Sequence, residues 1–198
     1  VCDMQVNQEG EVTQSKFYEA VMRSHARLTY DQVWQAVGEN DADARASLGA
    51  QLPQVERLHE LYGLLSKARE KRGAIEFETS EVRFELDNRG EVTQAGMLQR
   101  NDAHKLIEEC MIAANVEAAR YLLGAHIPAP YRVHERPPES KYADLLEFLK
   151  EFKLSMPPWA KVQPRDFTQL LKKIRERPDV ALLESVVLRS QSLAVYTP

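Results

Sequence analysis

Apolar positions alternate singly at the start of the chain and then switch to helical spacing. Cys2, Met4 and Val6 alternate with polar neighbours, and residues 7–10 carry turn chemistry. Residues 12–22 then run long with Val12, Phe17, Tyr18 and Val21. That pattern predicts a β-hairpin. At Thr29 the period changes: Gln32 stands three residues on, and Val33, Trp34 and Val37 follow at helical intervals. A capping box therefore opens a short helix near Tyr30. Residues 38–49, rich in Asp, Asn and Ala, read as a polar connector holding about one helical turn.

From Pro53, the positions Val55, Leu58, Leu61, Tyr62, Leu65 and Ala68 recur at three and four residues until Gly73 offers a left-handed stop, which predicts an amphipathic helix of about five turns. Residues 75–79, 82–87 and 91–98 read as strands of a second hairpin-like unit turning at residues 88–90. Asn101 caps the strongest helix, in which Ala103, Leu106, Ile107, Cys110, Met111, Ala114 and Ala118 form a broad apolar face ending near Gly124. Such width implies burial on more than one side. Beyond Pro128 and Pro130 the pattern gives a short strand over residues 131–134 and a helix over 142–152. Pro157, Pro158 and Pro164 mark a break, and two helices close the chain over 165–176 and 179–193. No internal repeat or low-complexity tract is evident.

These elements predict an α+β fold of mixed strands packed against several helices, a single domain over residues 1–198 with the helix from Asn101 as its central element. Composition agrees: 198 residues with 43% hydrophobic and 28% charged residues, and a mean hydropathy of -0.46, are those of a soluble globular chain. The 26 Lys and Arg against 30 Asp and Glu give a net charge of -4, so any basic surface must be local. Cys2 and Cys110 match neither a metal spacing nor a disulfide framework, which favours a reducing cytoplasm. No signal peptide or membrane partner is expected. The chain lacks an initiator methionine, as a processed product or a piece of something larger would.

Chemistry is sparse in the residues themselves. His104 and Glu108 lie one turn apart on a helix, a spacing that can hold a metal or orient a general base, and equally describes a solvated pair on a polar face. Asp41 and Asp43 read as an ordinary loop. The basic runs Lys67, Arg69, Lys71, Arg72 and Lys172, Lys173, Arg175, Arg177 suit phosphate contacts, or helix C-termini, where cations complement the macrodipole. There is no glycine-rich phosphate loop, serine nucleophile elbow or zinc spacing.

Longer segments carry more. Residues 16–22 (Lys-Phe-Tyr-Glu-Ala-Val-Met) leading into 24–30 (Ser-His-Ala-Arg-Leu-Thr-Tyr), and residues 100–111 (Arg-Asn-Asp-Ala-His-Lys-Leu-Ile-Glu-Glu-Cys-Met), closely resemble the RNB catalytic domain of the ribonuclease II and ribonuclease R family, its ribonuclease R branch most nearly. Residues 72–78, 131–135, 187–190 and 194–196 extend the resemblance in the same order over nearly the whole chain. Gln191, where a Met is usual, and Leu193, where a polar residue is common, depart from the family pattern.

The resemblance implies part of a processive, hydrolytic 3'-to-5' exoribonuclease that degrades single-stranded RNA to nucleoside monophosphates. It implies Mg2+ as cofactor in a two-metal mechanism, and no small-molecule organic cofactor. In the family an upstream Asp-x-Asp-Asp cluster holds the metals and a downstream Thr-Ser-Pro-Ile-Arg segment supplies an arginine; neither is in this sequence, so the metal ligands are expected outside the chain and no metal-binding residue is assigned. Tyr30 matches the family tyrosine that lies against the sugar-phosphate at the scissile end. Glu108 matches the glutamate that positions the terminal ribose, and Phe77 an aromatic that packs on the 3'-terminal bases. The resemblance thus makes Tyr30 and Glu108 the catalytic-site residues and Tyr30, Phe77 and Glu108 the RNA contacts, with the chain inactive alone. A non-catalytic RNA-binding or protein-interaction module on the same scaffold is the alternative from another class.

Overall fold

In the computed structural model, which describes residues 1–75, 81–98 and 100–198, two hairpins close through the same side-chain device. Strand β1 (Cys2–Val6) pairs antiparallel with β2 (Val12–Phe17), and β3 (Glu81–Leu86) pairs antiparallel with β4 (Val92–Leu98). In the first loop Asn7 Oδ1 accepts from the amides of Glu9 at 3.1 Å and Glu11 at 2.9 Å. In the second, Asp87 Oδ1 accepts from Arg89 at 2.7 Å and Glu91 at 3.0 Å. A short Asx oxygen thus stands in for ladder bonds that the turn cannot make. Both loops end on a left-handed glycine, Gly10 at φ 75° and Gly90 at φ 82°. Gly10 is fixed twice over, because a Cβ there would fall 2.2 Å from the Leu64 carbonyl oxygen.

Each glycine is followed by Glu-Val-Thr-Gln, and the Thr13 and Thr93 hydroxyls donate to the carbonyls of Gln5 and Glu85. The chain therefore does contain a repeat, residues 10–14 and 90–94, too short to register as a periodicity. The first strand pair is shorter than its sequence pattern predicts: β2 stops at Phe17, and residues 18–29 have no regular structure. Past Phe17 the pairing ends at Tyr18, whose amide donates to the Val1 carbonyl at 3.2 Å while its carbonyl accepts from the Val1 amino group at 2.9 Å. Val21 and Met22 are left in solvent.

The residues divide into two compact units, 1–68 with 79–121, and 69–78 with 122–198. In the first, helix α1 (Tyr30–Val37) begins at the predicted capping box: the Thr29 hydroxyl accepts from the Gln32 amide at 3.2 Å, and Gln32 Oε1 accepts from the Thr29 amide at 3.1 Å. The expected polar connector contains a full helix, α2 (Ala42–Leu48), started by Asp41, whose carboxylate accepts from the Ala44 amide at 2.8 Å. Asp41 is an N-cap, not a loop charge. Arg45 of α2 donates to the Ala36 carbonyl at the end of α1 and to Glu56 of α3 (Leu52–Arg72) at 2.5 Å, tying three helices around a small core of Ala36, Leu48 and Val55.

Helix α4 (Asp102–Gly124) buries Ala103, Leu106, Glu109 and Glu117. Of the expected broad apolar face, Ala103 and Leu106 are buried while Ile107 and Met111 are exposed, so the burial is narrower than the spacing implies. Apolar spacing states which side of a helix prefers to leave water, not what packs against it.

The second unit holds β5 (Tyr131–Val133), α5 (Glu139–Glu151), α6 (Pro164–Ile174), α7 (Val180–Ser190) and β6 (Val195–Thr197). Helix α7 ends three residues before the expected Leu193, since Gln191 turns extended and the chain goes on to pair β6 antiparallel with β5, a strand that sequence spacing did not predict. The core is Leu145 and Leu149 of α5, Phe167, Leu170 and Ile174 of α6, and Leu183 and Val187 of α7. Gly73 provides the predicted stop for α3 at φ 74°, and a Cβ there would meet the Cβ of Arg165 at 2.7 Å. Three two-stranded antiparallel sheets beside seven α-helices make the expected α+β class among the described residues.

Tyr142 is fully buried in this core, edge-on to Phe167, and its hydroxyl donates to the Pro157 carbonyl at 2.7 Å. Burial, with the Asp166 charge second, pushes its pKa up to about 12. The unfolded phenol ionises near 10, so its contribution is complete below pH ~10 and is lost as pH rises toward ~12. Tyr142→Phe should lower stability by about 1 kcal/mol at pH 7 through the lost hydrogen bond. The same variant should flatten the alkaline loss, as read by urea unfolding at a series of pH values.

Candidate functional site

The site grows from the first turn of α4. Asn101 Oδ1 accepts from the amides of Ala103 at 3.1 Å and His104 at 3.4 Å and lies 2.8 Å from His104 Nδ1. One oxygen thus caps the helix and fixes an imidazole. The His104 ring stacks on Tyr30, with centroids 4.0 Å apart and planes at 23°. Tyr30 occupies that position because the Thr29 capping box makes it the first residue of α1. One turn past His104, on the same helical strip, Glu108 Oε2 is ion-paired with Arg100, the residue preceding the cap. Behind the cap, Asp102 accepts from the Tyr62 hydroxyl at 3.4 Å and faces His59 Nε2 at 3.9 Å.

Tyr30 and Glu108, far apart in sequence, are therefore carried by adjoining elements, with His104 as the ring between α1 and α4. Phe77 lies outside the described residues. His104 packs its ring on Tyr30 and neither stands free in solvent as half of a polar pair nor joins a metal-binding group among the described residues. Arg100 is missed by sequence reasoning; a cation just before a helix whose second turn exposes a carboxylate is the signal that would have found it. The alternative in which His104 and Glu108 hold a metal finds no third ligand, since among the described residues no three His, Cys, Asp or Glu side chains gather as a metal-binding group.

Farther along α4 the buried carboxylate of Glu117 is satisfied by the Ser15 hydroxyl at 2.8 Å and Arg120 at 2.5 Å, which anchors β2 to the helix. Cys110 is half-buried, and burial, with the Glu109 charge second, raises its thiol pKa. The basic runs are partly spent on partners. Lys172 pairs with Glu70 and holds that carboxyl below its usual range. Arg177 meets Asp179 in a fork of two 2.8 Å hydrogen bonds with the same effect on Asp179. The site as described offers an aromatic face with a hydroxyl, an imidazole and an anchored carboxylate. These are binding and orienting groups, with no activated nucleophile among them.

The RNB domain matches residues 1–198. The chain is 44% identical over 198 residues to "Ribonuclease R" of Escherichia coli (strain K12), covering 100% of this chain and 24% of that protein. It is 44% identical over 196 residues to "Ribonuclease R" of Vibrio cholerae, covering 99% and 24%, and 31% identical over 196 residues to that of Aquifex aeolicus, covering 99% and 28%. Among solved structures, Mycoplasma genitalium RNase R in complex with ribose methylated single-stranded RNA shares the fold at a TM-score of 0.86 and 24% identity, over 99% of this chain and 30% of that one. The chain thus spans about a quarter of the length of the curated relatives it matches.

The shared Asn101 oxygen makes cap and stack interdependent. Asn101→Ala should cost about 1 kcal/mol of stability and also shift the Tyr30 ring resonances toward those of a His104→Ala variant. NMR of the Tyr30 ring, read beside denaturant unfolding, checks both.

Proposed function

The chain belongs to the RNB domain family, and from that premise we propose that it is the RNA-positioning part of a hydrolytic, processive 3'-to-5' exoribonuclease that releases nucleoside monophosphates. The observation that carries the reading is the Tyr30–His104 stack one turn before the Arg100-anchored Glu108. Single-stranded RNA is the substrate, entering by its 3' end. Tyr30 lies against the terminal sugar-phosphate, its ring held flat by His104 so that little side-chain freedom is lost on binding. Glu108 accepts from the terminal 2'-hydroxyl, the group by which a protein tells RNA from DNA. Arg100 holds the Glu108 carboxylate in place for that bond. Phe77 supplies a further aromatic contact to the 3'-terminal bases in this reading, with no organic cofactor required.

Magnesium is the expected metal, and paired cations would activate water and stabilise the leaving oxygen. The described residues of this chain do not fit that role, since their carboxylates and imidazoles do not converge. What this chain does is bind and orient. Its two unpaired cysteines suit a reducing, cytoplasmic setting.

Two measurements test the reading. With RNA and DNA oligonucleotides of one sequence, the chain should prefer RNA, and Glu108→Gln should reduce that preference about three- to tenfold by removing a charge-assisted bond. Tyr30→Ala should weaken both ligands together. Equal loss of RNA and DNA binding in Glu108→Gln would refute the 2'-hydroxyl assignment. The chain alone should not shorten labelled RNA, and turnover that survives repurification would overturn the division of labour.

A further inference from the structure

The second unit contains a cleft of about 1030 Å³ between the β5–β6 ribbon, the start of α6 and the segment after α7. Ile75, Val162, Phe167 and Leu188 form apolar wall, while Arg132, His134 and Arg136 stand on one rim. All three rim residues are exposed. Neither arginine has a carboxylate partner among the described residues, and Glu135 is the one acidic residue described on the lining. In a chain of net charge -4, this is a local excess of positive charge beside apolar surface.

The rim is built, not loose. The Ser192 hydroxyl donates to the Arg136 carbonyl at 2.7 Å, and the Trp159 indole N–H donates to the Pro137 carbonyl at 2.8 Å, so the arginine-bearing segment is held at two successive carbonyls. Arg132 is fixed by the ribbon, directly across from Tyr196. Cross-strand partners share a face, and Tyr196 is 67% exposed. A rim guanidinium and an open phenol ring are thus paired across the ribbon, the ring itself lying outside the cleft lining.

We propose that this cleft is a nucleotide-binding site: Arg132 and Arg136 take a phosphate, and the base lies against the apolar wall that includes the Phe167 ring. Charge complementarity selects the occupant. Forked guanidinium donors match phosphate oxygens, and base stacking on an aromatic ring is tolerant of sequence. A purely apolar segment would leave the rim arginines unanswered. The site stands apart from Tyr30 and Glu108 in its residues and rests on the RNA reading only for the source of the nucleotide, a strand in passage or a released monophosphate.

The test is an NMR titration of the isotope-labelled 198-residue chain with adenosine 5'-monophosphate, adenosine, inorganic phosphate and a short single-stranded RNA. Saturable shifts at the amides of residues 132–136 and 191–196 are expected with the monophosphate, with affinity at least about tenfold above adenosine. The Arg132→Glu, Arg136→Glu double variant should lose them, and the paired Lys substitutions should keep part. Shifts with RNA alone assign the site to the strand; shifts with both ligands assign it to the released nucleotide as well. Adenosine binding as well as its monophosphate, binding that survives the double charge reversal, or no shift with either nucleotide ligand would overturn the proposal. So would an acidic peptide displacing the monophosphate at lower concentration than RNA does. Loss of RNA binding in Tyr30→Ala with the cleft still responding to monophosphate leaves this proposal standing. If RNA fails to bind while the monophosphate still does, the RNA reading falls and the cleft stands.

Discussion

A helix leaves its first four amides without partners, and in α4 the answer to that deficit also builds the site. Asn101 supplies one acceptor oxygen to two of the orphan amides, and the same oxygen meets the His104 ring. His104 in turn supports Tyr30, while the residue before the cap reaches forward to Glu108. Each interaction is worth on the order of 1 kcal/mol taken alone. Their significance is that they share atoms, so the geometry of the aromatic face and of the carboxylate is set by one helix start.

Local sequence decides some features here and neighbours decide others, and the two hairpins separate the cases. Both close with an Asx oxygen, a left-handed glycine and Glu-Val-Thr-Gln. The first hides alternate residues at least partly. The second exposes Val82, Phe84 and Leu86 on one face, with Val92 and Met97 across the ladder. Identical loop chemistry gives identical turns, while burial depends on what packs against the strands, which no five-residue motif encodes.

The same division governs what could be read in advance. The start of α1 was legible to the residue because a capping box is complete within four positions. Helix α2 was hidden because Asp41 looks alike as a loop charge and as a cap until the Ala44 amide is placed against it. Strand β6 is three residues long and exists only because β5 lies beside it. At the site, resemblance singled out Tyr30 and Glu108, but neither Arg100 nor the ring beneath Tyr30 was assigned to them. A stack between α1 and α4 is a fact of tertiary placement of which periodicity carries no trace, whereas the Arg100–Glu108 pair lies within one helix start and leaves a signal only in the order of charges.

The charge distribution bears on how such a chain would hold a polyanion. Several cations that look available in sequence are engaged: Lys172 with Glu70, Arg177 with Asp179, Arg45 with Glu56, Arg120 with Glu117. The most exposed of these, Lys172–Glu70, adds little stability, but every such pair removes positive charge from the field a strand would feel. Long-range attraction is therefore weak, and on the proposed reading recognition in the first unit falls to short-range contacts: a stacked tyrosine and a carboxylate for the ribose. If, as proposed, a strand advances along this chain one nucleotide at a time, that balance favours it, because a few short-range contacts can be remade after each step, whereas many phosphate contacts would each have to be broken.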